Sequence, residues 1–163
     1  YKSGCLLHEV DWTQYWMNLA DAVATKSKCD RRQVGAIIVD KDSRKIVSTG
    51  YNGAPKGFPE PAGATCRSFC PRASESVLDT SYKNCVSCHA ELNCILSGDS
   101  TKYDGATIFV TTAMCWDCAK VIANSGITTV VMRVLPEDQH REPQKTIEFL
   151  EMCSLKVIVI ESE

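Results

Sequence analysis

Three apolar runs in the second half of the chain, at 106–111 (ATIFVT), 127–134 (ITTVVMRV) and 155–160 (LKVIVI), alternate with two segments of helical period, 115–124 and 142–152. A strand that returns through a helix to a neighbouring strand does so as a right-handed parallel crossover. This rhythm therefore commits the second half to a parallel sheet flanked by helices. The first half reads differently. Runs at 34–39 (VGAIIV) and 45–51 (KIVSTGY) are joined only by Asp40-Lys41-Asp42-Ser43-Arg44, a link short enough to require an antiparallel hairpin. Ahead of them, Trp12, Tyr15, Trp16, Leu19, Ala20 and Val23 recur at helical spacing behind the N-cap candidate Asp11. They predict an amphipathic helix over 11–26 with its aromatic stripe in the core. The sum is an α/β fold: a three-layer α/β/α sandwich around a five-stranded mixed sheet, with helices on both faces.

Length and composition fit one domain over 1–163. The 163 residues are 44% hydrophobic and 23% charged, as in ordinary globular proteins. A formal net charge of −2 without blocks of like charge gives no electrostatic footprint for a long nucleic acid. No run approaches the roughly 20 apolar residues of a membrane span. The start, Tyr1-Lys2-Ser3-Gly4, has neither the basic nor the apolar region of a signal peptide, and the expectation is a cytoplasmic location. Ten cysteines raise a disulfide scaffold as an alternative, but a chain with this many core-forming segments does not depend on staples. One stretch, 52–86, is rich in Gly, Pro and Cys and lacks any sustained period. An irregular insertion of that length is either functional or pinned by something else.

The chemistry sits on two helix starts. His89-Ala90-Glu91 opens a helix predicted over 89–96, and Cys115-x-x-Cys118 opens the helix at 115–124. Cys115 and Cys118 share a helix face, and with His89 they supply three ligands for one zinc, leaving a fourth position for water. Glu91, two residues from His89, projects differently and suits a proton-transfer role beside that water. Helix N-termini favour the negative charge of thiolates. A purely structural zinc would be closed by four protein ligands, and this set has three plus an acid. In the insertion, Cys66, Cys70, Cys85 and Cys88, with Cys29 as an alternative ligand, leave two readings open: a second, structural zinc, or reduced thiols packed as small hydrophobes. Cys5, Cys94 and Cys153 are assigned to packing, and His8 and His140 to the surface.

These residues bring a family into view. The chain resembles the deoxycytidylate (dCMP) deaminases of the cytidine deaminase superfamily. The resemblance is carried by Ser27-Lys28-Cys29-Asp30-Arg31-Arg32-Gln33-Val34-Gly35-Ala36, by Thr49-Gly50-Tyr51-Asn52-Gly53-Ala54-Pro55-Lys56-Gly57, and by the pair Cys88-His89-Ala90-Glu91-Leu92-Asn93 and Cys115-x-x-Cys118-Ala119-Lys120. The His-x-Glu and Cys-x-x-Cys elements are the signature of zinc deaminases generally. The Gly-Tyr-Asn-Gly-x-Pro-x-Gly turn narrows the match to the nucleotide branch. Two positions depart from the pattern: Met114 stands where the motif has proline, and the strand 130–136 lacks the tyrosines often found there.

The resemblance implies hydrolysis of dCMP to dUMP and ammonia in pyrimidine deoxynucleotide metabolism, with Glu91 catalytic and zinc on His89, Cys115 and Cys118. It implies substrate contacts at Asn52 (deoxyribose), Arg31 (phosphate) and Ala90. It further implies a homo-oligomer, as a hexamer, with dCTP and dTTP as effectors. Three other readings stay open at this point: a modified or differently phosphorylated cytosine nucleotide as substrate, a nucleic-acid-editing enzyme of the same fold, and a zinc-stabilised module without catalysis.

Overall fold

The computed structural model describes residues 9–60, 62–71 and 84–161. Cys5, His8 and part of the 52–86 insertion lie outside them. The element order is α1 (Trp12–Ala24), β1 (Gly35–Val39), β2 (Ile46–Tyr51), α2 (Ala90–Ser97), β3 (Thr107–Val110), α3 (Trp116–Ala123), β4 (Thr129–Val134), α4 (Pro143–Met152) and β5 (Lys156–Glu161). The strands form one sheet in the order β2-β1-β3-β4-β5. β1 pairs antiparallel with β2 and with β3, while β3/β4 and β4/β5 are parallel. The sheet is therefore mixed, and the crossovers follow the strand–helix rhythm of the sequence.

Alternation along the central strands builds a core on each face. Ala36, Ile38, Ile108, Val110, Val130 and Met132 point to the side covered by α2, α3 and α4. Ile37, Val39, Phe109 and Val131 point to the other, where α1 buries Trp16, Met17 and Ala20. All five residues of β1 are buried, as a central strand with both faces covered requires. Asp11 caps α1, its carboxylate accepting from the Gln14 N–H at 2.8 Å. The aromatic stripe of α1 is only partly core, contrary to expectation. Trp16 is buried, while Trp12 and Tyr15 are 47% and 42% exposed, packed edge-on against one another, with the Arg44 guanidinium over the Trp12 ring. One helix turn cannot present all three rings to a single sheet face. Arg133 on β4 reaches the Asp21 carboxylate of α1 with two nitrogens, at 2.7 and 2.9 Å.

Two glycines set how closely helices approach the hairpin. A Cβ on Gly35 would stand 2.1 Å from the Ala20 carbonyl oxygen, and one on Gly50 would stand 2.4 Å from the Cys94 nitrogen. The second contact seats α2, and with it His89 and Glu91, directly on the sheet.

A turn that the sequence does not announce, Pro136–Arg141, follows β4 as a 3-10 helix. Its Asp138 is fully buried. The carboxylate accepts from the Leu135 N–H (2.8 Å), the Ala113 N–H (3.3 Å) and the Thr112 hydroxyl, and it pairs with Arg32. Burial opposes its charge, but Arg32 and the backbone donors outweigh that and hold it below the ordinary carboxylate value of 3.8. A carboxyl depressed in the folded state stabilises above its ordinary pKa and loses that contribution as pH falls through the folded value. Asp138→Ala therefore costs about 3–5 kcal/mol at pH 7, because it strands Arg32 and three donors. The cost shrinks towards pH 3, a trend that denaturant melts across this range would reveal; a constant cost would contradict it.

Candidate active site

His89 and Cys115 are the N-cap residues of α2 and α3. The chain reaches His89 through a fixed turn: Gly53 and Cys88 exchange backbone hydrogen bonds of 3.1 and 2.7 Å, and the Asn93 amide donates to the Tyr51 carbonyl. The end of β2 is thus stitched to the head of α2. On the facing helix the Cys115 sulfur accepts from the Cys118 N–H, capping α3 with a ligand atom. Met114, in the position of the motif's proline, is fully buried, and its N–H reaches the Met132 sulfur, a contact that proline would forgo.

The three expected ligands converge. His89 Nδ1 lies 3.2 Å from the Cys118 sulfur and 3.4 Å from that of Cys115, and all three atoms lie within 4.8 Å of one another. Tetrahedral zinc, with Zn–N near 2.0 Å and Zn–S near 2.3 Å, separates a nitrogen from a sulfur ligand by about 3.5 Å. The donor set and its spacing fit zinc. The Cys115 thiol is pulled down by hydrogen bonding from Cys118 and by His89, while hydrogen bonding and burial push Cys118 up. Zinc binding to such a cluster displaces the thiol protons. Glu91, 4% exposed, lies within electrostatic reach of all three, and burial pushes its carboxyl up.

His89, Cys115 and Glu91 line a cleft walled also by Arg31, Arg32, Asn52, Ala90, Thr112 and Arg141, and Cys118 is fully buried behind them. The sequence-derived candidates Asn52, Arg31 and Ala90 are thus brought to one wall. Asn52 is buried, and its amide is fixed, Oδ1 accepting from the Val34 N–H and Nδ2 donating to the Arg32 carbonyl, both at 2.8 Å. It retains one N–H and one lone pair for a further partner. Arg32, Asp138 and Arg141 escaped the sequence reading. Arg32 sits inside a motif that names only Arg31, and the other two follow the last strand of the pattern. An Asp and an Arg three apart in a polar segment carry no distinctive signal.

The four cysteines proposed for a second metal are not gathered. Cys66 is hydrogen-bonded to Cys70 and near Cys29, Cys29 and Cys85 both line the cleft beside His89, and Cys88 pairs through its backbone with Gly53. Among the described residues, His89, Cys115 and Cys118 form the one cluster of three or more donors, and there is no disulfide. Burial, and after it the neighbouring Cys29 and Cys70, push the Cys66 thiol up to about 12. Cys94 is buried as expected, whereas Cys153 at the end of α4 is exposed. His140 is a surface residue.

Comparison with known proteins agrees with this site. The family model for the cytidine and deoxycytidylate deaminase zinc-binding region matches residues 10–134. A deoxycytidylate deaminase of Mycobacterium phage D29 is 44% identical over 127 residues, covering 74% of this chain and 93% of the phage protein. The human deoxycytidylate deaminase is 39% identical over 124 residues, which are 75% of this chain and 64% of the human one. Among solved structures, the dCMP deaminase of cyanophage S-TIM5 superposes with a TM-score of 0.66 at 25% identity, covering 94% of this chain and all of that one. RibD of Acinetobacter baumannii, 20% identical with a TM-score of 0.63, covers 93% of this chain and 35% of its own and shares the fold. No helix among the described residues is long and apolar enough to cross a membrane. With the His89/Cys115/Cys118 cluster, the buried Glu91 and a match running from α1 through β4, the chain belongs to the cytidine and deoxycytidylate deaminase family.

Proposed function

We propose that this chain catalyses the hydrolytic deamination of dCMP to dUMP and ammonia, in cytoplasmic pyrimidine deoxynucleotide metabolism. The observation that carries the reading is a three-donor cluster fit for zinc, with a buried carboxyl near it, in a cleft lined by arginines and a fixed asparagine. It is supported by relatives named for dCMP deamination and by the cyanophage enzyme, whose structure is described in complex with dCMP and dUMP.

His89, Cys115 and Cys118 would hold the zinc, which when bound would supply the Lewis acidity that makes a water nucleophilic near neutral pH. The residues do the rest. A Glu91 oxygen accepts one proton from the attacking water and passes it to ring N3, then accepts the remaining proton from the new C4 hydroxyl and passes it to the exocyclic nitrogen. The new C4–O bond forms, the C4–N bond breaks, and ammonia departs. The burial that lifts the Glu91 pKa suits a group that must both take and give protons. Asn52 is preorganised to meet the deoxyribose hydroxyl, Arg31 faces the phosphate, and Ala90, buried at the head of α2, offers its backbone to the base. The active assembly is a homo-oligomer, expected as a hexamer, with dCTP and dTTP as effectors.

A panel of dCMP, dCTP, CMP, cytidine and 5-substituted dCMP, followed by absorbance loss, tests the assignment. The highest kcat/KM is expected for dCMP. A preference for another member of the panel moves the assignment to a modified or differently phosphorylated nucleotide. Turnover of single-stranded oligonucleotide alone supports an editing enzyme, and no ammonia from any substrate supports a non-catalytic zinc module.

A further inference from the structure

Cys115 is delivered to the metal cluster by residues 111–114, which belong neither to β3 nor to α3. A stretch without ladder bonds of its own must find partners elsewhere, and every residue of this one is held from outside. Thr111 exchanges two bonds with Gly35, its N–H donating to the Gly35 carbonyl (3.0 Å) and its hydroxyl accepting from the Gly35 N–H (3.1 Å). The Ala113 carbonyl accepts from Arg141, and the Met114 N–H reaches the Met132 sulfur. The two donors in the middle, the Thr112 hydroxyl and the Ala113 N–H, both go to Asp138 at 3.3 Å. The same carboxylate is fixed from behind by the Leu135 N–H at 2.8 Å and by Arg32. Asp138 thus ties the approach to Cys115 both to the exit of β4 and to the segment before β1.

Net stability is a poor account of such a group. A buried ion pair stabilises little beyond apolar side chains of like volume, because both charges must leave water. Proton transfer is no better an account, since the carboxylate has no solvent exposure. What two fixed acceptor oxygens supply, and an apolar side chain cannot, is position. We infer that Asp138 is a positioning residue for the metal centre, holding Thr112 and Ala113 so that the Cys115 sulfur meets His89 and Cys118. The inference rests on the zinc reading of that cluster and extends it to a residue outside the His-x-Glu and Cys-x-x-Cys elements. Ala113 lies two residues before Cys115, so a slip of the segment is passed on to the ligand sulfur. Metal and catalytic sites work only within about 0.5 Å of their productive geometry, and the sulfurs already stand 3.2 and 3.4 Å from His89 Nδ1.

The test is zinc retention in Asp138→Asn and Thr112→Val, read as metal transfer from the zinc-loaded protein to a chromophoric chelator below the melting temperature of every variant. The amide keeps the size of Asp138 and one acceptor oxygen but turns the other acceptor into a donor facing donors. Thr112→Val leaves the pair of Asp138 with Arg32 intact and covers the case in which Asp138→Asn does not fold. Zinc affinity is expected to fall about 10- to 100-fold in Asp138→Asn, the range for residues that orient metal ligands. In Thr112→Val it is expected to fall about fivefold, the worth of one neutral hydrogen bond. With cobalt(II) in place of zinc, the visible absorption of both variants should change shape, reporting an altered coordination geometry. Asp21→Asn is the control: it weakens the pair with Arg133 on the opposite face of the sheet, and should lower the melting temperature while keeping wild-type zinc affinity and cobalt spectrum. The inference is overturned if the site variants that fold keep both of those readouts whatever their stability, or if Asp21→Asn loses zinc to the same extent. A wild-type protein that takes up no zinc removes the reading of the cluster itself, and the inference with it.

Discussion

Glu91→Gln is expected to bind zinc as the wild type does and to lower kcat by about 10⁴-fold, the upper range for removing one general acid–base group. The substitution keeps the size of the side chain and leaves His89, Cys115 and Cys118 untouched. An amide can donate and accept a hydrogen bond but cannot carry one proton from water to N3 and another from the C4 hydroxyl to the leaving amine. The cost to folding should be small, because Glu91 is buried with its carboxyl pushed towards the neutral form, and a neutral amide replaces a group that already disfavours charge there. Metal analysis and steady-state rates on the same sample decide the matter. A zinc-loaded variant within tenfold of wild-type turnover would falsify the role given to Glu91.

The second large effect comes from the metal. Cys118→Ala, or a strong chelator on the wild type, should abolish activity together with bound zinc. Cys118 is fully buried at the junction of α2 and α3, so the loss also reaches stability. A metal held at a thousandfold excess over its Kd stabilises by about 4 kcal/mol, and chelation should lower the melting temperature accordingly. Zinc content should fall from one per chain to none in Cys118→Ala. Zinc remaining in that variant would belong to Cys66 and Cys70 and would restore a second site. Full activity after exhaustive chelation would sink the zinc assignment.

Much of the fold was legible because its periodicities are strong. The switch from alternating runs to helical spacing located all five strands and four helices within a few residues, and Asp11 and the short 40–44 turn set the start of α1 and the hairpin sense. The stripe on α1 was read too generously, since helical spacing says which residues share a face but not how wide the facing sheet is. The zinc ligands were legible for a related reason. Each is tied to a helix start, and helix starts can be read locally.

What the residues around the ligands contribute was less visible. Asp138 and Arg141 look like solvated charges in a polar segment, and only packing shows one to be fully buried and the other to wall the cleft. The loop cysteines show the opposite failure. Their spacing suggested a metal site, but among the described residues no three of them gather into a donor cluster, although Cys29 stands near Cys66 and lines the same cleft as Cys85. Spacing along a chain constrains ligands only when one element holds them all, as α3 holds Cys115 and Cys118.

The sequence alone determined the class of fold and the three donors that converge, because these depend on local periodicity and on residue types at short spacing. Tertiary structure decided which charges surround the reacting centre. Arg32 is separated from Asp138 and Arg141 by over a hundred residues and meets them only through the sheet that brings β1, β3 and β4 side by side. Long-range electrostatics follows from that assembly, and no short window of the chain encodes it.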